Sequence, residues 1–224
     1  MVAAFEAFCL GPARDAGRVW VLGDLFDSWV GDDQLRDPVA ARVASALAGV
    51  AAAGVEIGVM CGNRDLLLGH RFAAAVGATL LPDVVVTDVG GTPTLLLHGD
   101  TLCTDDEGYQ NFRLWTHDAR RQRRFLALPY LLRRGLFALI RRRSRRLASA
   151  KPEAIMDVSA DAVAVAFRQH AVARIIHGHT HRPAHHVTTT DSRECERWVL
   201  PDWYDRGGYL AADASGIGFR EIAG

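Results

Sequence analysis

Short apolar runs alternate with amphipathic stretches along most of this 224-residue chain. Residues 18–23, 55–61 and 174–177 are brief runs rich in branched side chains, the pattern of strands covered on both faces. Residues 38–53 repeat Ala, Val and Leu at helical spacing and stop at Gly54, which suits a helix end. The same spacing predicts helices over 65–76, closed by Gly77, and over 105–117 and 156–170. Residues 2–9 read as the tail of another helix. Residues 84–88 and 93–98 flank Gly90 and Gly91, a hairpin signal. Residues 122–146 are helical, basic and greasy, interrupted by Pro129 and Gly135. From His185 onward the pattern is strand-like, over 187–190, 194–200, 208–212 and 217–222. Strand–helix alternation followed by a run of strands predicts two packed sheets with helices outside, an α/β fold in a single domain over 1–224.

Composition sets the class. An apolar fraction of 49% with 23% charged residues is that of a soluble globular protein. The net charge is zero, so no global field draws nucleic acid. Cys9, Cys61, Cys103 and Cys195 are widely spaced without a C-x-x-C pair, which predicts reduced thiols in a cytosolic protein. No apolar run approaches the roughly 18–20 residues of a membrane span. The N-terminus shows no basic stretch leading into an apolar one, so no signal peptide is expected.

The charge is uneven in place. Residues 119–151 hold eleven arginines and no acidic residue. Around them lie Phe125-Leu-Ala-Leu-Pro-Tyr-Leu-Leu132 and Gly135-Leu-Phe-Ala-Leu-Ile140. One reading is an amphipathic helix pair with a solvated basic face. The other is an interfacial lid over 119–151, its apolar side chains meeting acyl chains and its arginines meeting anionic headgroups. So much Leu and Phe adds little to a nucleic-acid reading. Lys151 is the only lysine in the chain.

Four strand ends carry the candidate chemistry: Gly23-Asp24, Gly62-Asn63-Arg64-Asp65, His98-Gly99-Asp100 and Gly178-His179-Thr180-His181. Each has a bland reading. Gly-Asp is a common turn, Asn63 after Gly62 suits a left-handed turn, and a lone strand-end histidine is often structural. Together, four strand ends bearing oxygen or nitrogen ligands beside glycines fit a divalent cation site at one sheet edge. Hydrolysis of a phosphate ester or anhydride is the matching chemistry. Asp65 and Asp100 can orient such ligands or simply cap a turn.

These blocks resemble those of the calcineurin-like metallophosphoesterases, with Arg64 where that family commonly has histidine. The longer stretches Leu22-Gly-Asp-Leu-Phe-Asp-Ser-Trp-Val-Gly-Asp-Asp33, Gly62-Asn-Arg-Asp-Leu-Leu-Leu-Gly69, His98-Gly-Asp-Thr-Leu-Cys-Thr-Asp-Asp106 and His177-Gly-His-Thr-His-Arg-Pro183 are similar to the UDP-2,3-diacylglucosamine pyrophosphatases of lipid A biosynthesis. The similarity covers nearly the whole chain, Ala154-Ile-Met-Asp157 included.

The resemblance implies a four-layer α/β/β/α sandwich, two Mn²⁺ ions, and cleavage of UDP-2,3-diacylglucosamine to UMP and 2,3-diacylglucosamine 1-phosphate. It implies work at the cytoplasmic face of the bacterial inner membrane, with peripheral attachment to that anionic surface and no nucleic-acid partner. By motif position, Asp24 bridges the two metals, Asn63, His98 and His179 complete one site, and His181 serves the other. Arg64 contacts substrate phosphate as the catalytic cation. Asn63, Arg64, Asp106, Ser144, Lys151 and His179 bind substrate, while Ala148 stands where some members have Asn. The family opens with an Asp-x-His block on its first strand, and no such block precedes Met1-Val-Ala-Ala-Phe5. The expectation is a truncated start, an open strand edge, one metal site with four ligands and another with only Asp24 and His181. A soluble phosphodiesterase or nucleotide pyrophosphatase, and a non-catalytic homologue acting at a membrane surface, are the alternatives.

Overall fold

The computed structural model describes residues 1–148, 155, 157–204 and 207–222. Three strands, β1 (Arg18–Leu22), β2 (Glu56–Met60) and β3 (Ala78–Leu80), form a parallel sheet in that order, with β1 at an edge. A second sheet orders β4 (Val84–Val89), β5 (Thr92–Leu97), β6 (Arg174–His177), β8 (Arg193–Val199) and β7 (Ala184–Thr190) as β4-β5-β6-β8-β7. Its β5-β6-β8 centre is parallel and its two flanks are antiparallel. A separate hairpin joins β9 (Gly208–Asp213) to β10 (Gly216–Glu221).

Side chains alternate across a strand, and the core shows it. From β5 and β6, Leu95, Leu97 and Ile175 pack toward Val163, Ala166 and Phe167 of helix Ala160–His170. Their neighbours Leu96 and Ile176 pack the other way, with Trp198, against Leu22 and Met60 of the parallel sheet. That sheet's outer face, with Ile57 and Val59, meets α1 (Val2–Leu10), α2 (Pro38–Ala52) and α3 (His70–Val76). The order of layers is helices, parallel sheet, mixed sheet, helix: the expected α/β/β/α sandwich.

Three elements differ from the sequence reading. The helix expected over 65–76 begins only at His70, because the Asp65 side chain faces back toward other loops and Leu68 N–H closes a turn on its carbonyl at 2.9 Å. β3 is too short to have a readable period. The helix expected over 105–117 is α4 (Glu107–Thr116), and the basic segment forms α5 (Ala119–Leu126) and α6 (Tyr130–Ala148). It breaks before Pro129, where the missing N–H suits a helix start, but it runs through Gly135 without interruption. The remaining helix, α7, is Ala160–His170; its expected first turn at Met156 lies outside the described residues.

The start of α6 is anchored to the loop before α2. Arg133 is buried and bonds the Val30 carbonyl and the Asp33 carboxylate. Tyr130 Oη donates to Asp37 Oδ2 at 2.8 Å, and the Arg36 guanidinium lies 4.6 Å from the Tyr130 ring centre. Beyond that anchor Leu131, Leu136, Leu139 and Ile140 stay exposed among arginines.

Candidate metal centre

The ends of β1, β2, β5 and β6 meet. Asp24 follows β1, Asn63 follows β2, His98 follows β5, and His179 lies two residues past β6. The approach depends on glycine. A Cβ on Gly23 (φ 84°) would sit 2.6 Å from both Gly62 Cα and His98 Nδ1, well inside contact distance. A Cβ on Gly62 would overlap the Asp24 carboxylate.

Within the cluster, His98 Nε2 lies 3.1 Å from Asn63 Oδ1 and 3.8 Å from Asp24 Oδ1. His179 Nδ1 is 3.0 Å from Asn63 Oδ1 and 3.2 Å from His98 Nε2. The ligand atoms of Asp24, His98 and His179 all fall within 4.8 Å of one another. His98 Nδ1 is 2.8 Å from the Leu22 carbonyl, which can only accept, so that nitrogen holds a proton. In the neutral ring this turns the Nε2 lone pair inward. Burial, with His98 alongside, lowers His179 to a pKa of about 4, so the His179 ring is neutral near pH 7.

Two imidazoles, an amide oxygen and a carboxylate therefore converge with few protons to share. Asp24 Oδ2 is buried and accepts no hydrogen bond. Such a donor set fits a divalent cation of borderline hardness.

Asp65 sets the geometry. Fully buried, it accepts from the N–H groups of Gly62 (2.7 Å), Asp24 (3.1 Å) and Phe26 (3.3 Å), clamping the loops after β1 and β2 together. Burial first, then the nearby Asp24 charge, raise its pKa, with those amides pulling the other way. Asp100 bonds no ligand; it accepts from Tyr109 Oη at 2.9 Å and Arg113 Nε at 2.8 Å and so fastens α4 to the sheet end. Tyr109 is thereby set 5.7 Å, ring to ring, from His179.

The other expected site residues are more scattered. His181 stands outside the cluster: its Nε2 is 3.1 Å from Arg64 Nη2 and its Nδ1 3.9 Å from Asp202 Oδ2. Arg64 Nε is 3.3 Å from Asp24 Oδ2, and Nη1 bonds Asp27 and the Tyr204 hydroxyl. Arg64 is thus lodged among the second set of groups. Asp106 caps α4 by accepting from Tyr109 N–H at 2.9 Å. Ser144 is exposed on α6, and Lys151 lies outside the described residues. Tyr109, Asp202 and Tyr204 were not foreseen, since each comes from a loop or helix whose local pattern says nothing of the sheet edge.

A cavity of about 860 Å³ opens beside the cluster. All of β1 lines it, together with Phe5 and Phe8 of α1, Leu210 of β9 and Ile217 of β10, and Asp24, His98 and His179. Among the described strands, β1 pairs with β2 alone.

No family model matches the sequence. Curated relatives do. The chain is 46% identical over 213 residues to a UDP-2,3-diacylglucosamine hydrolase of Aromatoleum aromaticum, covering 95% of this chain and 86% of that one. It is 43% identical over 217 residues to proteins of the same name from Shigella sonnei and Escherichia coli K12, covering 97% of this chain and 90% of each. An archaeal phosphodiesterase of solved structure aligns over 97% of this chain and 87% of its own, at 12% identity and a TM-score of 0.44, a likeness too loose to bear on the site. An α/β/β/α sandwich with an oxygen–nitrogen cluster at its strand ends is thus joined to close sequence kinship. The chain belongs to the UDP-2,3-diacylglucosamine hydrolase family.

Proposed function

We propose that this protein hydrolyses the pyrophosphate bond of UDP-2,3-diacylglucosamine, releasing UMP and 2,3-diacylglucosamine 1-phosphate in lipid A biosynthesis. The observation that carries the reading is the convergence of Asp24, Asn63, His98 and His179 in a chain so similar to hydrolases of that name. These four side chains would hold a divalent cation, with Mn²⁺ as the ion to test first. When bound, it would supply Lewis-acid charge to phosphoryl oxygens and acidify water.

The chain's own groups do the rest. Phosphoryl transfer chiefly needs positioning and charge stabilisation. Arg64 holds a permanent charge beside Asp24 and offers a planar donor fork to phosphate. The hydrogen bond from His98 to Leu22 keeps that ring's orientation and tautomer fixed. Asp106, Ser144 and Lys151 are assigned to the glucosamine phosphate portion, with Asn63, Arg64 and His179 nearer the pyrophosphate.

The exposed Leu131, Leu136, Leu139 and Ile140 beside basic Arg142 and Arg143 support an interfacial role for α6. No helix among the described residues is long and apolar enough to cross a membrane. Peripheral attachment to the anionic cytoplasmic face of the inner membrane is the arrangement we propose.

The experiment is UMP release from UDP-2,3-diacylglucosamine with and without Mn²⁺, for the wild type and Asp24→Ala. We expect metal-dependent release that the variant loses while its circular dichroism stays unchanged. Equal turnover by both proteins in Mn²⁺ would refute the ligand assignment.

A further inference from the structure

Arg64 is held where its guanidinium has little freedom to leave. Its backbone N–H donates to Asp24 Oδ1 at 2.9 Å, and its carbonyl accepts from Trp29 N–H at 3.1 Å. The side chain is 17% exposed. Each nitrogen of the fork has a neighbour. Nε faces Asp24 Oδ2 at 3.3 Å, and Nη2 faces His181 Nε2 at 3.1 Å. Nη1 donates to Asp27 Oδ1 at 3.1 Å and meets the Tyr204 hydroxyl, and the Tyr204 ring centre lies 5.5 Å from the guanidinium carbon.

Two consequences follow for His181. An arginine nitrogen has only protons to offer, so His181 Nε2 must accept and its lone pair is already engaged. Its other nitrogen, Nδ1, then carries the proton and faces Asp202 at 3.9 Å. A cation that took His181 Nε2 and Asp24 Oδ2 would have to expel a guanidinium anchored through its own backbone. If it did not, it would sit against a permanent like charge.

We infer that this is a one-metal centre in which the Arg64 guanidinium stands in the place of a second cation. The inference rests on the proposed metal centre of Asp24, Asn63, His98 and His179. His181 then acts as a positioning residue that accepts from Arg64 and steers its fork, and Tyr204 and Asp27 hold the opposite edge. The fixed charge that faces phosphoryl oxygens on this side comes from the protein, independent of metal supply.

The test is Mn²⁺ bound per chain of the intact protein, by isothermal titration with elemental analysis after dialysis, and by electron paramagnetic resonance. One tightly bound ion with the spectrum of isolated Mn²⁺ is expected. His179→Ala should weaken Mn²⁺ binding by about 100-fold, since losing even a partner that supports a ligand costs roughly 10–100-fold, whereas His181→Ala should leave it within about threefold. Two tightly bound ions with exchange-coupled spectra would overturn the inference and leave the hydrolase reading intact. A His181→Ala protein that loses its ion as fully as His179→Ala would also overturn it. A chain that binds no Mn²⁺ would overturn the centre itself and this inference with it.

Discussion

Asp65 offers the sharpest test of how the site is built. One buried carboxylate accepts three backbone N–H groups, two from the loop after β1 and one from the loop after β2. Asp65→Ala leaves all three donors without this acceptor. Hydrogen bonds to a charged group contribute about 1.5–3 kcal/mol each, but the buried charge itself costs free energy, so the sum overstates the loss. A net destabilisation of about 3–5 kcal/mol is expected, the size seen when a buried ionic network loses a member. At about 2–4 °C per kcal/mol for a chain of this size, the melting temperature should fall by roughly 10 °C. Asp65→Asn should do less. Its one carbonyl oxygen can still serve Gly62 and Asp24, while its amide nitrogen faces Phe26 N–H as donor against donor. The assay is thermal and urea unfolding, paired with Mn²⁺ titration at a temperature where both variants are folded. Weaker Mn²⁺ binding should accompany the lost stability, because the same bonds hold Asp24 against Asn63. An Asp65→Ala protein that melts with the wild type and binds Mn²⁺ equally well would refute the clamp.

Three further outcomes are expected. Arg133→Ala should cost about 1–3 kcal/mol in urea unfolding, because it leaves the Val30 carbonyl without its buried donor and the Asp33 carboxylate with Arg36 alone; a loss below about 0.5 kcal/mol would mean the start of α6 is held by something else. Replacing Arg142 and Arg143 with Gln should weaken binding to anionic vesicles by about 2 kcal/mol, near 1 per charge, with no change in hydrolysis of a water-soluble phosphodiester; equal losses in both assays would point to a structural role. Burial opposes the charge of Glu196, but hydrogen bonds from Arg174, Trp198 and His185 outweigh it and depress its pKa below 4.5. Its contribution is therefore full above about pH 4.5 and is lost as pH falls through the lower folded value. Glu196→Gln should be less stable than wild type at pH 7, with the gap closing toward pH 3 in urea unfolding; a gap that persists at pH 3 would exclude the charge as its source.

Much of the layer order was legible because burial and period agree. The runs at β1, β2 and β6 are apolar on both faces, and each proves to lie between a helix layer and another sheet. The hairpin at Gly90 and Gly91 was legible from chemistry alone: both adopt positive φ, and Asp88 caps the turn by accepting from Gly91 N–H at 2.9 Å. What stayed hidden had no local signature. Asp65 follows Arg64 in what reads as a helix start, yet its acceptor role depends on amides 39 and 41 residues away in sequence. Tyr204 and Asp202 reach the site from the loop before β9, and nothing in their surroundings marks them. Arg64 was legible as a departure from the commoner histidine, but its seat between Asp24 and His181 required the fold.

Residues of the site also break the backbone rules by which a sequence is read. Asp24, His179 and His181 have φ of 55°, 70° and 54°, the left-handed region that residues with a Cβ avoid. Such conformations cost on the order of 1–3 kcal/mol and persist only where the surroundings enforce them. Here the enforcement comes from across the sandwich. His98 Nδ1 donates to Leu22 of the parallel sheet, and Gly178 N–H donates to the His98 carbonyl at 2.8 Å within the mixed sheet. Asp24 and Asn63 arrive from one sheet, and His98 and His179 from the other. The cluster is therefore the seam at which two sheets are fixed end to end, and neither sheet alone could assemble it. A strand-end carboxylate read in isolation is a turn. The same carboxylate becomes a ligand only because a second sheet brings two imidazoles to meet it, and that meeting is a property of the layer packing that no local window contains.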